Sequence, residues 1–124
     1  MGENLKNRPQ ELTKAELEIM QIIWKKEKVL VHDILADLPE PKPAYNTVST
    51  IVRILENKGF VSHKAYGRTY EYFPVVAKED YTNTYMKNVL NNFFDGSVSR
   101  MVNFFSAQKS ISLEETDEIL KILN

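Results

Sequence analysis

Apolar residues recur at helical spacing along most of this chain and give way to strand-like alternation only around residues 60–74. The clearest helix is AYNTVSTIVRILENKG, residues 44–59. Val48, Ile51, Val52 and Leu55 fall at i, i+3, i+4 and i+7, one apolar face of an amphipathic helix. Asn46, Ser49, Thr50, Arg53 and Asn57 share the other side. A merely solvated face would carry Lys and Glu. This one carries short hydrogen-bonding groups and one guanidinium, although Ser, Thr and Asn are mediocre helix formers. Short donors and acceptors let a helix lie close against a polar surface such as the edges of base pairs. Gly59 is positioned to end the helix as its C′ residue.

The flanking segments supply a frame for that helix. Thr13 and Glu16 have the spacing of a capping box and open a helix with a broad apolar arc, from Ala15 and Leu17 to Trp24. Val29-Leu30-Val31 reads as a short strand. His32–Leu38 reads as a two-turn helix with Ile34, Leu35 and Leu38 inward, stopped by Pro39. FVSHKA, YGR and TYEYF read as a β-hairpin with Gly67 at its tip and Pro74 ending the second strand. Helix, strand, helix, turn, helix, hairpin is the order of a winged helix-turn-helix.

The rest is helical by pattern. Tyr85, Met86, Val89, Leu90 and Phe93 line one face, Asp95-Gly96 breaks it, and Val98, Met101, Val102 and Phe105 resume it. A last helix begins at Ser112, with Glu115 completing a second capping box, and carries Ile119, Leu120, Ile122 and Leu123. The expected fold is mainly α with a small β-hairpin wing. Residues 1–76 form the winged helix, with 1–11 flexible, and residues 77–124 form a helical dimerisation domain. A segment this short cannot bury so many large apolar side chains by itself. An identical copy is the default partner, through Tyr85, Val89, Phe93, Met101, Phe105, Ile119, Leu120 and Leu123.

Charge sharpens the division. The 124-residue chain has a formal net charge of −1. Yet residues 42–70 hold Lys42, Arg53, Lys58, Lys64 and Arg68 against Glu56 alone, whereas residues 77–124 are mildly acidic. Lys64, Tyr66, Arg68 and Thr69 cluster at the hairpin tip, where a wing reaches phosphates or the minor groove. No run of apolar residues is long enough to span a membrane, the N-terminus has no signal-like apolar region, and there is no cysteine. A cytoplasmic location and no membrane insertion are the expectation.

The chemistry of catalysis is not written here. His32 and His63 lie in different elements without a metal-ligand framework, and the acidic run Glu114, Glu115, Asp117 and Glu118 suits the first turns of a helix. No enzyme, metal or cofactor is expected.

Taken together, LTKAELEIMQIIWKK, NTVSTIVRILENKGFV, YGRTYEYFP and FFDGSVSRMVNFF resemble the penicillinase/methicillin-resistance repressor family (BlaI/MecI type), from about Leu12 to Leu123. The resemblance implies a winged helix that binds palindromic operators with TACA/TGTA-like elements, and C-terminal helices that make a homodimer. It also implies derepression through cleavage by, or downstream of, a membrane sensor metalloprotease that responds to β-lactams. The family's V-L-N-F-like cleavage stretch matches Met101-Val102-Asn103-Phe104, which keeps only Asn103 and Phe104 of its key positions. Relatives often carry longer or charged side chains where Asn46 and Ser49 stand, and a Ser cap where Leu30 stands. The absence of cysteine excludes the copper-sensing branch.

The reading is therefore a homodimeric transcriptional repressor of double-stranded operator DNA. Asn46, Thr47, Ser49, Thr50 and Arg53 would read bases or phosphates, and Lys64, Tyr66 and Arg68 would hold the backbone. Two other readings remain open at this point: a winged helix relieved by a small ligand, and a winged-helix protein-interaction module that does not bind DNA.

Overall fold

The computed structural model describes residues 11–108 and 112–123, excepting the side chain of Leu123. The expected flexible segment 1–11 lies outside them but for its last residue. The chain divides into two compact units, residues 1–82 and residues 83–124.

The first unit starts with α1 (Lys14–Lys26). Thr13 Oγ1 accepts from the Glu16 amide at 3.2 Å, and Glu16 Oε1 accepts from the Thr13 amide at 2.9 Å, the expected capping box. The helix buries Ile19, Met20 and Ile23, while Leu17, Ile22 and Trp24 are half-buried and Ala15 is exposed.

Val29 does not start a strand. It makes an isolated antiparallel bridge to Tyr72, donating at 2.9 Å and accepting at 2.7 Å. Helix α2 (Val31–Asp37) then begins one residue earlier than the pattern suggests. Leu30 has no side chain with which to cap it, and Asp33 Oδ2 accepts from the Leu30 amide instead, at 2.9 Å. Ile34 and Leu38 are buried and Leu35 is half-buried.

Helix α3 (Tyr45–Asn57) buries Val48, Val52 and Leu55 with Ile51 partly covered, as its periodicity requires. Its end is a Schellman motif. Gly59 at φ +87° lets its own amide donate to Glu56 O and the Phe60 amide donate to Leu55 O, both at 3.0 Å. Phe60 and Leu55 both join the core.

Strands β1 (Val61–Tyr66) and β2 (Thr69–Pro74) pair antiparallel with Tyr66 opposite Thr69. The turn is therefore Gly67-Arg68, with positive φ (+63°) at Gly67 and not at Arg68, the signature of a type II′ turn. Register places His63, Ala65, Tyr70 and Tyr72 on one face and Lys64, Tyr66, Thr69 and Glu71 on the other.

Helix α4 (Lys78–Phe93) begins inside the first unit. Tyr81 is buried there, its ring 5.7 Å from Phe60 and 6.0 Å from Trp24, and its hydroxyl accepts from the Leu12 amide at 2.9 Å. That contact carries the first unit on to Thr82.

In the second unit, the rest of α4 leads to a turn with positive φ at Asp95 and Gly96, where the Gly96 amide donates to Leu90 O at 2.8 Å. Helices α5 (Val98–Ala107) and α6 (Leu113–Leu123) pack on each other. Ser97 and Ser112 cap them, accepting from the amides of Arg100 and Glu115 at 3.1 and 3.0 Å. Val102 is buried, while Val98 and Met101 are half-buried and Phe105 is exposed.

Candidate nucleic-acid interface

Helix α3 presents a polar strip because the hydrophobic core claims its other side. Asn46, Thr50, Arg53 and Asn57 are exposed along it. Ser49 is half-buried at its margin, where its Oγ accepts from Arg53 Nη2 at 3.3 Å. Thr47 is exposed but lies about 100° round the helix from Asn46. It shares that far edge with Ile54, an apolar residue 40% exposed. The near edge carries Tyr45 and Glu56, so a strip of short polar groups runs between two dissimilar borders.

The positive charge is smaller and better placed than composition suggests. Lys42 is exposed but its Nζ is tied down: it donates to the carbonyls of Leu35, Ala36 and Leu38 at 3.0, 3.0 and 2.7 Å, closing the end of α2. Lys58 is likewise committed, its Nζ 2.8 Å from Glu16 Oε1. Glu16 is buried, and burial alone disfavours its charge. Donors from Lys58 and the Thr13 amide outweigh that, and hold the carboxyl below its ordinary range. Among the described residues, no carboxylate pairs with Arg53, Lys64 or Arg68. Those three remain as the cations of the helix and wing.

The wing carries two of them. Lys64 Nζ sits 5.3 Å above the Tyr66 ring, a cation–π arrangement on the hairpin's outer face. Arg68 occupies the exposed turn itself. On the other face, His63 Nδ1 lies 2.7 Å from Glu56 Oε2 of α3, and the imidazole stacks on Tyr70 at 4.2 Å and 17°. In the sequence Glu56 stands as a lone opposing charge and His63 as a strand residue with no evident partner. Their seven-residue separation crosses a helix end and a chain reversal, so periodicity could not pair them. Tyr72, buried beside them, has its hydroxyl pushed upward by burial first and by the Glu56 charge second.

His32 packs against Tyr45, ring centroids 4.6 Å apart, across the turn between α2 and α3. No group of three His, Cys, Asp or Glu capable of holding a metal ion occurs among the described residues, and no helix there is long and apolar enough to cross a membrane.

The second unit distributes the other candidate residues unevenly. Tyr85, Phe93 and Phe105 are exposed, Phe93 to 76%. Val89, Met101, Ile119 and Leu120 are half-buried, and the side chain of Leu123 lies outside the described residues. Ile122, which the pattern places on the last helix, is 83% exposed, and so to 79% is Leu113, which it does not single out. Asn103 and Phe104 are exposed in the middle of α5, with the Phe104 ring 5.6 Å from Phe94.

Comparison with known proteins bears on both units. A family model described as penicillinase repressor matches residues 12–124. The chain is 31% identical over 120 residues to the penicillinase repressor of Bacillus licheniformis, covering 96% of this chain and 93% of that protein. It is 29% identical over 119 residues to the methicillin resistance regulatory protein MecI of Staphylococcus aureus (strain N315), covering 95% and 97% respectively. The solution structure of the DNA binding domain of the repressor BlaI superposes with a TM-score of 0.51 at 30% identity, over 58% of this chain and 88% of that one.

Proposed function

The chain belongs to the penicillinase repressor family, and from that premise we propose that it represses transcription by occupying an operator as a homodimer. The family is one of transcriptional repressors, not of enzymes. The observation that carries the DNA-binding reading is the division of the cations. With Lys42 and Lys58 held by internal partners, Arg53, Lys64 and Arg68 remain, and they lie on the polar strip of α3 and on the wing.

In this reading α3 enters the major groove. Asn46, Thr50 and Arg53 face base edges, with Ser49 and Thr47 at the margins. Lys64, Tyr66 and Arg68 meet the phosphate backbone beside it. The exposed apolar side chains of the second unit, Phe93, Phe105, Leu113 and Ile122 above all, supply a surface for a second copy. Dimerisation makes contact with the second half-site intramolecular and raises affinity without any new contact to DNA. The protein would act in the cytoplasm, where its operator is. Proteolysis in the second unit at Asn103–Phe104, under a membrane sensor metalloprotease, would release the operator by dissolving the dimer.

Footprinting on the DNA upstream of the protein's own gene and its neighbours tests the central reading. The expected result is an inverted repeat with half-sites about one helical turn apart, roughly 10 bp. Binding there should weaken steeply as salt rises, because phosphate contacts release counterions. Absence of any protected repeat would remove the repressor assignment's support.

A further inference from the structure

We propose that the contact between Glu56 of α3 and His63 of β1 is a positioning latch that sets where Lys64, Tyr66 and Arg68 meet the DNA backbone. The inference rests on the DNA-binding reading of this site and adds two residues to it that touch no DNA themselves.

Glu56 is the sole carboxylate between residues 42 and 70, and a carboxylate beside a phosphate backbone opposes binding. Here it is turned to an internal purpose. Its side chain is 27% exposed and lies 2.7 Å from His63 Nδ1. An ionised carboxylate only accepts, so Nδ1 carries the proton and donates it to Oε2. The imidazole is held from further sides as well, stacked on Tyr70 and tilted against Tyr72 at 5.5 Å. Tyr72 is in turn fixed by its two hydrogen bonds to Val29.

Register makes this a latch and not merely a contact. His63, Ala65, Tyr70 and Tyr72 share the face that meets α3, while Lys64 and Tyr66 lie on the opposite face. The latch therefore holds the wing without consuming its outward groups. Between the His63–Tyr72 pair and the Tyr66–Thr69 pair the hairpin extends about 10 Å, at about 3.3 Å per residue. An isolated two-stranded hairpin has little stability of its own. A tilt of about 10° at the root would move the tip by about 2 Å, enough to break a phosphate hydrogen bond.

The full-length protein tests this with opposite signs for the two explanations of Glu56. As a simple negative charge near DNA, its removal tightens binding to every sequence. As a latch, Glu56→Ala weakens operator binding by about tenfold, the scale of one hydrogen bond to a charged group. Glu56→Gln, whose amide oxygen still accepts from Nδ1, should recover most of the loss. In an Arg68→Ala background the Glu56→Ala effect should shrink, because both act through the wing. His63→Ala, made alongside, carries the same expectations if Glu56→Ala does not fold. Tighter binding by Glu56→Ala, an undiminished loss in the Arg68→Ala background, or no recovery by Glu56→Gln overturns the latch. A second readout needs no DNA: NMR order parameters at residues 66–69 should fall in Glu56→Ala relative to the wild type. If the wild-type protein prefers no operator over random DNA, the DNA-binding reading fails, and these order parameters alone decide the latch. Unchanged order then overturns it.

Discussion

Lys58 at the end of α3 reaches back 42 residues to Glu16 in the first turn of α1, Nζ to Oε1 at 2.8 Å. Glu16 also completes the capping box with Thr13, so one buried carboxylate serves the start of α1 and the finish of α3. Removing the ammonium leaves a buried acceptor short of a donor. Lys58→Met should destabilise the protein by about 1–3 kcal/mol, read by urea denaturation. Glu16→Gln with Lys58→Met should cost less than the sum of the single changes. Because Lys58 points inward, its loss should leave the salt dependence of DNA binding unchanged. Arg68→Ala should reduce that slope by about one.

The same carboxyl gives an acid limb to the stability profile. Its folded-state pKa is depressed, so its stabilising contribution is complete above the ordinary carboxylate range and is lost as pH falls through the lower folded value. Glu16→Gln should therefore show a shallower loss of stability on acidification than the wild type. Parallel curves for the two proteins would contradict that assignment.

Base reading and backbone holding should separate by mutation. Arg53→Ala and Thr50→Ala should each weaken operator binding by roughly 1–3 kcal/mol while affecting random DNA less. Arg68→Ala should weaken both about equally. Uniform losses in all three would move the α3 strip from base edges to phosphates.

Truncation should expose the two-unit architecture. A fragment of residues 1–82 keeps Tyr81 with Trp24 and Phe60, and should fold as a monomer that binds its operator about 100-fold more weakly than the full chain. A fragment ending at residue 76 loses Tyr81 and should melt at lower temperature. Sedimentation showing a dimer of the 1–82 fragment would place the self-association surface in the wrong unit.

Cleavage between Asn103 and Phe104 demands more than exposure. Both residues sit within α5, and Phe104 O accepts from the Gln108 amide at 3.2 Å. A protease requires extended backbone, so α5 must open locally before the bond can be cut. Mass spectrometry of protein from induced cells should find a fragment ending at Asn103. An intact chain during full derepression would exclude this route.

What could be read from the sequence depended on how local its cause was. The α3 strip was legible because both faces of a helix are written at fixed spacing. The hairpin's tip was legible because Gly67 supplies the positive φ it needs, although Tyr66, expected in a three-residue turn with Gly67 and Arg68, instead pairs with Thr69 and leaves a turn of two. Capping of α1 by Thr13 and Glu16 spans a single turn and was equally plain. The fates of Lys42, Lys58 and Glu56 were not legible. Each was visible as a charge, but its partner is chosen by a turn, a core or a reversal of the chain, which no periodicity records. Val29 departs from the expected strand for a related reason, since a single bridging residue opposite Tyr72 has no strand pattern of its own.

The unbroken pairing from Val61–Pro74 to Tyr66–Thr69 also limits how this wing can evolve. Inserting one residue into β1 between Val61 and His63, with no bulge to absorb it, would invert every side chain beyond it, turning Lys64 and Tyr66 toward α3 and His63 away. Strand length can thus change without exchanging the faces in steps of two residues, or where a bulge absorbs an odd one. The turn, by contrast, is free to change composition as long as its first position tolerates positive φ. Change in a wing built this way falls most easily on its tip, where a new residue alters the outward groups without moving the arms that carry them.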